Sequence, residues 1–537
     1  MSHNRLRIHC PSPILEKASL VFIVLAAFLL RFIGLQFGFP LLVHPDEHFI
    51  LDPVVQMTAN HSLDPGDYFR PDLILMYLNL VVLNLVSFLS FGKSLAATFN
   101  EHLLLYYYYG RLVTAGLGAA LPLAGYFVGR EFRKTAGIPA ALLFAFLPIF
   151  VLHSHYITPD VPVTLFTLLV MLAAARYVRT GKLAWLDAAA VLSAVNTAEK
   201  YPGLLCLGLA AGAVVLQACA AAGKLDRPVL VRILRQFARV GLVFAIALVC
   251  VAPSLFVNYG RSFADLVAQG ANVHLGADNL SFWGNLGFYA GLFYQQAGVV
   301  CVLFALVGLI GCVFQRNWAA LLALYGFFYW AAMSVLPLHW DRWAFPMFTA
   351  PMLLAAVGFD LLRARVRPAF FRLAVVGLGA VVIVPMLLVS TGKSINLTYM
   401  DTRLAGLAFC VDRGITPANT TIDSYTPFSP ALGGNFQMDY AKITSRDYVM
   451  LSSSILDRYA KEKNRYAREY GIYERIKNEN TLVASFLPSP PDVTLYQRAA
   501  ALQYYLLRLS GRPTEPRYIG PRVYIYKVNK AANQNAQ

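Results

Sequence analysis

Carboxylates and isolated cations recur in the polar segments that separate long apolar runs. His44-Pro45-Asp46-Glu47-His48 follows the first run directly. His153-Ser154-His155-Tyr156-Ile157-Thr158-Pro159-Asp160 ends where another run begins, and Glu199-Lys200-Tyr201 sits between two more. Arg261 and then His339-Trp340-Asp341-Arg342-Trp343 follow. A carboxylate such as Asp46, Glu47 or Asp160 can take the proton from an incoming hydroxyl. Cations such as Lys200, Arg342 and Arg261 can hold a phosphate and stabilise it as it leaves. Each residue also has a plainer reading. Asp160 after Pro159 is a helix cap; Asp46-Glu47 is a solvated loop start; Lys200 and Arg342 are interfacial cations on apolar stems. His153 and His155 supply loop polarity. A histidine-carboxylate metal site at His44, Asp46 and His48 is conceivable, but the spacing is loose for a ligand set.

The elements that must position these groups are membrane spans. The chain has 537 residues, 58% hydrophobic and 14% charged, where soluble domains run near 45–50% apolar and about 25% charged. Apolar stretches of about 20 residues, enough to cross a hydrocarbon core of roughly 30 Å, recur from residue 18 to residue 391 and then stop. This excludes a soluble enzyme, a disordered chain and a nucleic-acid-binding domain. Spans are expected near 18–38, 110–129, 136–156, 161–178, 183–198, 202–221, 237–256, 287–313, 318–336, 344–362 and 371–391. Residues 72–91 are read as lying along the membrane or re-entering it, and eleven to thirteen spans is the expected range.

The formal net charge of +16 is read as topology. With the N-terminus in the cytoplasm, nineteen Lys and Arg fall in inner loops and six in outer loops, as the positive-inside rule requires. That arrangement puts the five segments above, and the polar tail, on the outer side. Five of seven cysteines lie in apolar runs, where cysteine behaves as a small hydrophobe. An outer pocket of carboxylates and cations at the bilayer surface suits a lipid-linked phosphate donor, its tail in a groove between helices. A nucleotide-sugar donor fits less well, because no phosphate-cradling Gly-rich loop is present.

The tail from about residue 395 changes pattern. Residues 402–413 read as a helix, and Thr420–Ser424, Tyr448–Ser452, Leu482–Phe486 and Val523–Val528 as strands. Residues 455–477 read as one long charged helix. Alternating strands and helices imply a small α/β domain, with no catalytic constellation of its own.

At these residues the chain resembles a known family. The acidic pair at Asp46-Glu47, then Phe69-Arg70-Pro71-Asp72 and Gly110-Arg111, is similar to the protein O-mannosyltransferase-like branch of the GT-C glycosyltransferases. So are Ser154-His155-Tyr156 with Thr158-Pro159-Asp160-Val161-Pro162, Lys200-Tyr201, Arg342-Trp343-Ala344-Phe345-Pro346, and the tail's Asp401–Ala405 and Tyr425-Thr426-Pro427. The chain departs from the related lipid A aminoarabinose transferases, which carry Lys-Pro-Pro where this chain has Arg70-Pro71-Asp72. It also lacks the large inserted sugar-binding domain of eukaryotic protein mannosyltransferases.

The resemblance implies an α-helical polytopic GT-C membrane protein, with a catalytic domain over 1–394 (first outer loop about 39–109) and an extracytoplasmic α/β domain over 395–537. It implies an integral-membrane glycosyltransferase of a bacterial inner or plasma membrane. The donor would be a polyprenyl-phosphate monosaccharide, dolichyl- or undecaprenyl-linked. The acceptor would be a hydroxyl on protein, lipid or glycan, glycosylated with inversion. Asp46, with Glu47, maps to the base or acceptor-orienting group, and Asp160 to the second acidic position. Lys200, Arg342 and Arg261 map to the donor phosphate. His155, Tyr156, Arg70, Tyr201 and His339 are the expected acceptor or pocket residues. No cofactor is required by this reading, and a divalent cation is compatible with it. A transporter or flippase of lipid-linked sugars, or a lipid-linked glycan ligase or polymerase, stays open as an alternative.

Overall fold

The computed structural model describes residues 12–222, 226–366, 368–490, 495–512 and 514–530. Arg5, Arg7, Cys10, Lys224, Arg367 and Ala531–Gln537 lie outside the described residues. The chain forms two compact units. The first comprises residues 1–32, 49–272 and 279–391; the second comprises 33–48, 273–278 and 392–537.

The first unit is helical: α1 (Pro13–Phe32), α2 (Leu73–Phe91), α3 (Leu103–Phe132), α4 (Gly137–Phe146), α5 (Pro148–His153), α6 (Asp160–Thr180), α7 (Leu183–Glu199), α8 (Leu207–Ala222), α9 (Arg227–Val251), α10 (Tyr259–Gly270), α11 (Phe282–Phe314), α12 (Tyr325–Ser334), α13 (Phe345–Arg365) and α14 (Ala369–Asn396). Nine helices among the described residues are long and apolar enough to cross a membrane. The chain is a polytopic helical membrane protein. Residues 72–91 contribute one of the nine, the unbroken 19-residue helix Leu73–Phe91, which is long enough to cross a membrane.

Burial separates centre from periphery. The spans Asp341–Arg365 and Asp160–Thr180 are 89% and 78% buried, against 17% for α1 and 11% for α9. Asp160 and Arg342 therefore stand at the ends of the two innermost spans. The α11–α13 crossing is close: a Cβ on Gly308 would stand 1.9 Å from the Leu354 carbonyl, and one on Gly358 1.9 Å from that of Phe304. Small residues at both contact points let the backbones touch.

Two expected spans are interrupted, while the one expected at 183–198 is present as the 17-residue α7. Residues 318–336 begin as a 3₁₀ turn before α12. The 136–156 run breaks at Leu147, because Pro148 has no N–H to offer the Phe144 carbonyl and its ring clashes with that turn. The freed carbonyls are answered by side chains. The Arg31 guanidinium donates to Phe144 O (3.3 Å) and Ala145 O (3.0 Å), and the Ser390 hydroxyl to Phe146 O (2.8 Å). The first span ends at Phe32, not near 38; turns over 33–40 follow it.

The second unit carries a four-stranded sheet of β2 (Thr420–Ile422), β3 (Tyr448–Ser452), β4 (Thr481–Phe486) and β6 (Val523–Lys527) in the order 2-3-6-4, and a short parallel pair of β1 (Met400–Asp401) with β5 (Tyr518–Ile519). β2 runs parallel to β3, while β6 is antiparallel to both β3 and β4. Strand alternation feeds two cores: Val449, Leu451 and Tyr526 on one face, Met450 and Ile525 on the other. The single charged helix expected at 455–477 is two helices, Ser453–Lys461 and Ala467–Glu479. Between them Arg465 grips buried Asp278 (2.9 and 3.2 Å), and Glu462 accepts from Gly276 N. A straight helix would lose these ties and the Tyr459–Tyr473 ring contact (5.5 Å).

Candidate active site

The break at Leu147 sets up the site. After α5 the chain turns through residues 153–159, with Arg31 Nε donating to the Ser154 hydroxyl (3.1 Å). His155 is buried, its Nδ1 2.9 Å from the Val151 carbonyl, so it anchors this turn. Tyr156 packs edge-on to His153 at 5.4 Å. Asp160 then opens α6, but it is not a cap: its carboxylate turns to other elements.

Lys200 Nζ donates to Asp160 Oδ1 at 2.6 Å, and Arg342 Nε lies 3.9 Å from Oδ2. The carboxylate is 2% exposed, the lysine 12% and the arginine 20%. One buried anion thus orients two cations whose ends are more open. Lys200 is aimed by its local backbone. It is extended after α7, and the chain tightens at once into a 3₁₀ turn, where Gly203 comes so near Asn196 that a Cβ would stand 2.1 Å from its carbonyl oxygen. Trp343 lies beside Lys200 (5.8 Å) and Trp340 beside Arg342 (5.9 Å). His153 Nε2 approaches Asp341 at 4.0 Å. A cleft of about 150 Å³ opens beside this cluster, walled by Lys200, Tyr201, Leu266, Met333, Leu338 and Trp343. Lys200 lines this cleft, and Arg342 shares its carboxylate partner; a cation on an apolar cleft, with a second close by, can hold a phosphate that carries a hydrocarbon tail.

The other expected residues divide among separate contacts. Arg261 does not join Asp160. It pairs with Asp265 (3.9 Å) and covers the Tyr68 ring (5.7 Å). Tyr68 donates to Asp64, and Asn258 bonds both; burial and the Asp64 charge push the phenol's pKa well up. Tyr201 touches this network too, its hydroxyl donating to Tyr68 O at 2.6 Å. Arg70 pairs with Asp72 (3.4 Å) over Phe49 (5.0 Å). His339 packs against Phe288 at 4.6 Å.

Asp46 and Glu47 belong to the second unit. Asp46 N donates to His44 Nδ1 (3.3 Å), and Glu47 is buried. Within that unit the segment before Asp46 is tied to the tail by Arg403, which clasps Asp401 through two 2.7 Å bonds and reaches Val43 O and Pro430 O. Tyr425, from the tail's Tyr-Thr-Pro segment, feels the charges of Arg458 and Asp46, and burial raises its pKa. Among the described residues no group of three or more His, Cys, Asp or Glu could hold a metal, so His44, Asp46 and His48 do not form a ligand set.

Two functional contributions escaped sequence reasoning. Arg31 was visible as a charge inside an apolar span, which is itself a signal. Glu199 caps α2 by accepting from Leu75 N (2.8 Å), a long-range bond that no local pattern announces.

Residues 108–257, somewhat over a quarter of the chain, match the family model described as dolichyl-phosphate-mannose-protein mannosyltransferase. No curated protein sequence matches the chain. Among solved structures, apo ArnT from Cupriavidus metallidurans is similar at TM-score 0.51 and 15% identity, over 83% of this chain and 95% of that one. The oligosaccharyltransferase of Archaeoglobus fulgidus is similar at TM-score 0.50 and 13% identity, over 88% of this chain and 72% of that one. The chain thus has the GT-C fold, in a polytopic membrane protein whose residues 108–257 form a mannosyltransferase-like segment.

Proposed function

We propose that this protein is a membrane glycosyltransferase that moves one sugar from a polyprenyl-phosphate carrier to a hydroxyl acceptor on the extracytoplasmic face. The observation that carries the reading is the buried Asp160 carboxylate paired with both Lys200 and Arg342, with Lys200 lining an apolar cleft. The two cations take the donor phosphate and bear its charge as the bond to the sugar breaks. Asp160, already ion-paired, is a poor base and serves as the post that positions them. Asp46, with Glu47 beside it, takes the acceptor proton; this role rests on the motif that contains it. Direct displacement by the acceptor oxygen inverts the sugar carbon. The mannosyltransferase-type segment and the likeness to ArnT support this reaction class.

The test is transfer by the purified full-length protein in detergent, given a labelled polyprenyl-phosphate sugar and a hydroxyl acceptor. Labelled product without any sealed compartment is expected. Movement of intact lipid-linked sugar across sealed vesicles, with no product in detergent, would contradict the reading and favour a flippase.

A further inference from the structure

A second cavity in the first unit is far more strongly cationic. It is about 760 Å³ and lined by Arg130, Arg133, Lys134, Arg176, Arg179 and Arg316. These cations come from three separate stretches of chain: the end of α3 and the turn after it, the end of α6, and the turn after α11. Asp160 and this cavity lie at opposite ends of α6, and sixteen residues from Asp160 to Arg176 span about 24 Å of helix.

The positive-inside rule accounts for basic loops on one side of a membrane. It does not account for their convergence on one concavity. Nearby carboxylates neutralise only part of the charge. Glu131 is shared by Arg176 (3.1 Å) and Arg179 (2.7 Å), and Asp360 by Arg133 and Arg363. Arg130 reaches Glu16 at 3.8 Å. Lys134 and Arg316 have no ion-pair partner among the described residues. Arg316 is also held in the left-handed region (φ 49°) at the end of α11, where Asn317 bonds Phe132 O (2.6 Å). The same turn brings Trp318 into the wall with Phe127, Phe132 and Val178.

We infer that this cavity binds an anionic lipid headgroup carrying two phosphates. Its two uncommitted cations match two phosphates, and its aromatic wall continues into the apolar helices where acyl chains would lie. A basic pocket between spanning helices is the usual form of such a site. A soluble polyphosphate shares the headgroup chemistry but gains nothing from that wall.

The test places the full-length protein in nanodiscs of phosphatidylcholine with added cardiolipin, then counts retained lipid by native mass spectrometry. Wild type should retain cardiolipin in preference to phosphatidylcholine. Lys134→Gln with Arg316→Asn, the latter chosen because Asn tolerates the left-handed region, should weaken retention roughly thirtyfold. Arg227→Gln with Arg235→Gln, exposed on α9 and outside the cavity, should retain it as wild type does. Unchanged retention in the first variant would overturn the proposal, as would equal loss in the second. Pyrophosphate binding as tightly as cardiolipin to the delipidated protein would also overturn it, in favour of a soluble ligand. Unaltered size-exclusion profiles exclude misfolding as the cause of loss. No arm depends on transfer activity, so this result and the proposed reaction stand or fall separately.

Discussion

Arg31 shows what a charge inside an apolar span can be for. Fully buried, it gives its donors to the carbonyls that Pro148 leaves open and to the Ser154 hydroxyl, in a setting where water cannot substitute. Arg31→Leu should therefore destabilise the protein by about 2–4 kcal/mol, read as lost thermal stability in detergent; unchanged stability would remove this role. The two acidic positions should part kinetically. Asp46→Asn should lower kcat by roughly 10²–10⁴ with donor KM little changed, the signature of a lost proton acceptor. Asp160→Asn should chiefly raise donor KM, because it loosens Lys200 and Arg342 rather than the proton transfer. Steady-state kinetics with varied donor separate the two. Equal effects on both parameters in both variants would erase the distinction. The motifs made Asp160, Lys200 and Arg342 legible as charged positions. That they share one carboxylate was not, since 40 residues separate Lys200 from Asp160 and a further 142 separate it from Arg342.

Among the elements, composition was the most readable signal. Runs of apolar residues report spans because bilayer thickness sets their length, and the strand at Tyr448–Ser452 coincides with its β-branched and aromatic run. Interruptions were less readable. The break at Leu147 needed Pro148 to be weighed above a continuous apolar run, and the split at 462–466 depends on Asp278, distant in sequence. Arg261 likewise went to the Tyr68 network because its own helix and Asn258 place it there. The sheet also yields a pH prediction. Burial pushes the Asp423 carboxyl up to about 7, although the Tyr473 hydroxyl donates to it at 3.1 Å. A raised carboxyl favours the protonated folded state, so this group's contribution is lost as pH climbs from the unfolded value near 4 to about 7, and is flat above. Amide-exchange protection of β3, corrected for intrinsic rates, should be higher at pH 5 than at pH 8. Asp423→Asn should flatten that difference, and an identical pH dependence in the variant would refute the assignment.

Across the whole molecule, the innermost spans carry the polar ends and the outer helices meet lipid. Asp160 and Arg342 head two spans that are mostly buried, so the carboxylate and one of its cations stand on the most deeply packed helices of the first unit. The GT-C fold leaves substrate choice to what is set on this frame. Lys200 and Arg342, braced by Asp160, are proposed to receive the phosphate of a lipid-linked donor. Equilibrium binding of undecaprenyl phosphate to the purified full-length protein tests this role most directly, with Lys200→Ala and Arg342→Ala compared against wild type. Binding should be saturable in wild type and weakened roughly 10- to 100-fold in each variant, since a charge-assisted bond contributes about 1.5–3 kcal/mol. Wild-type affinity in both variants would contradict this role.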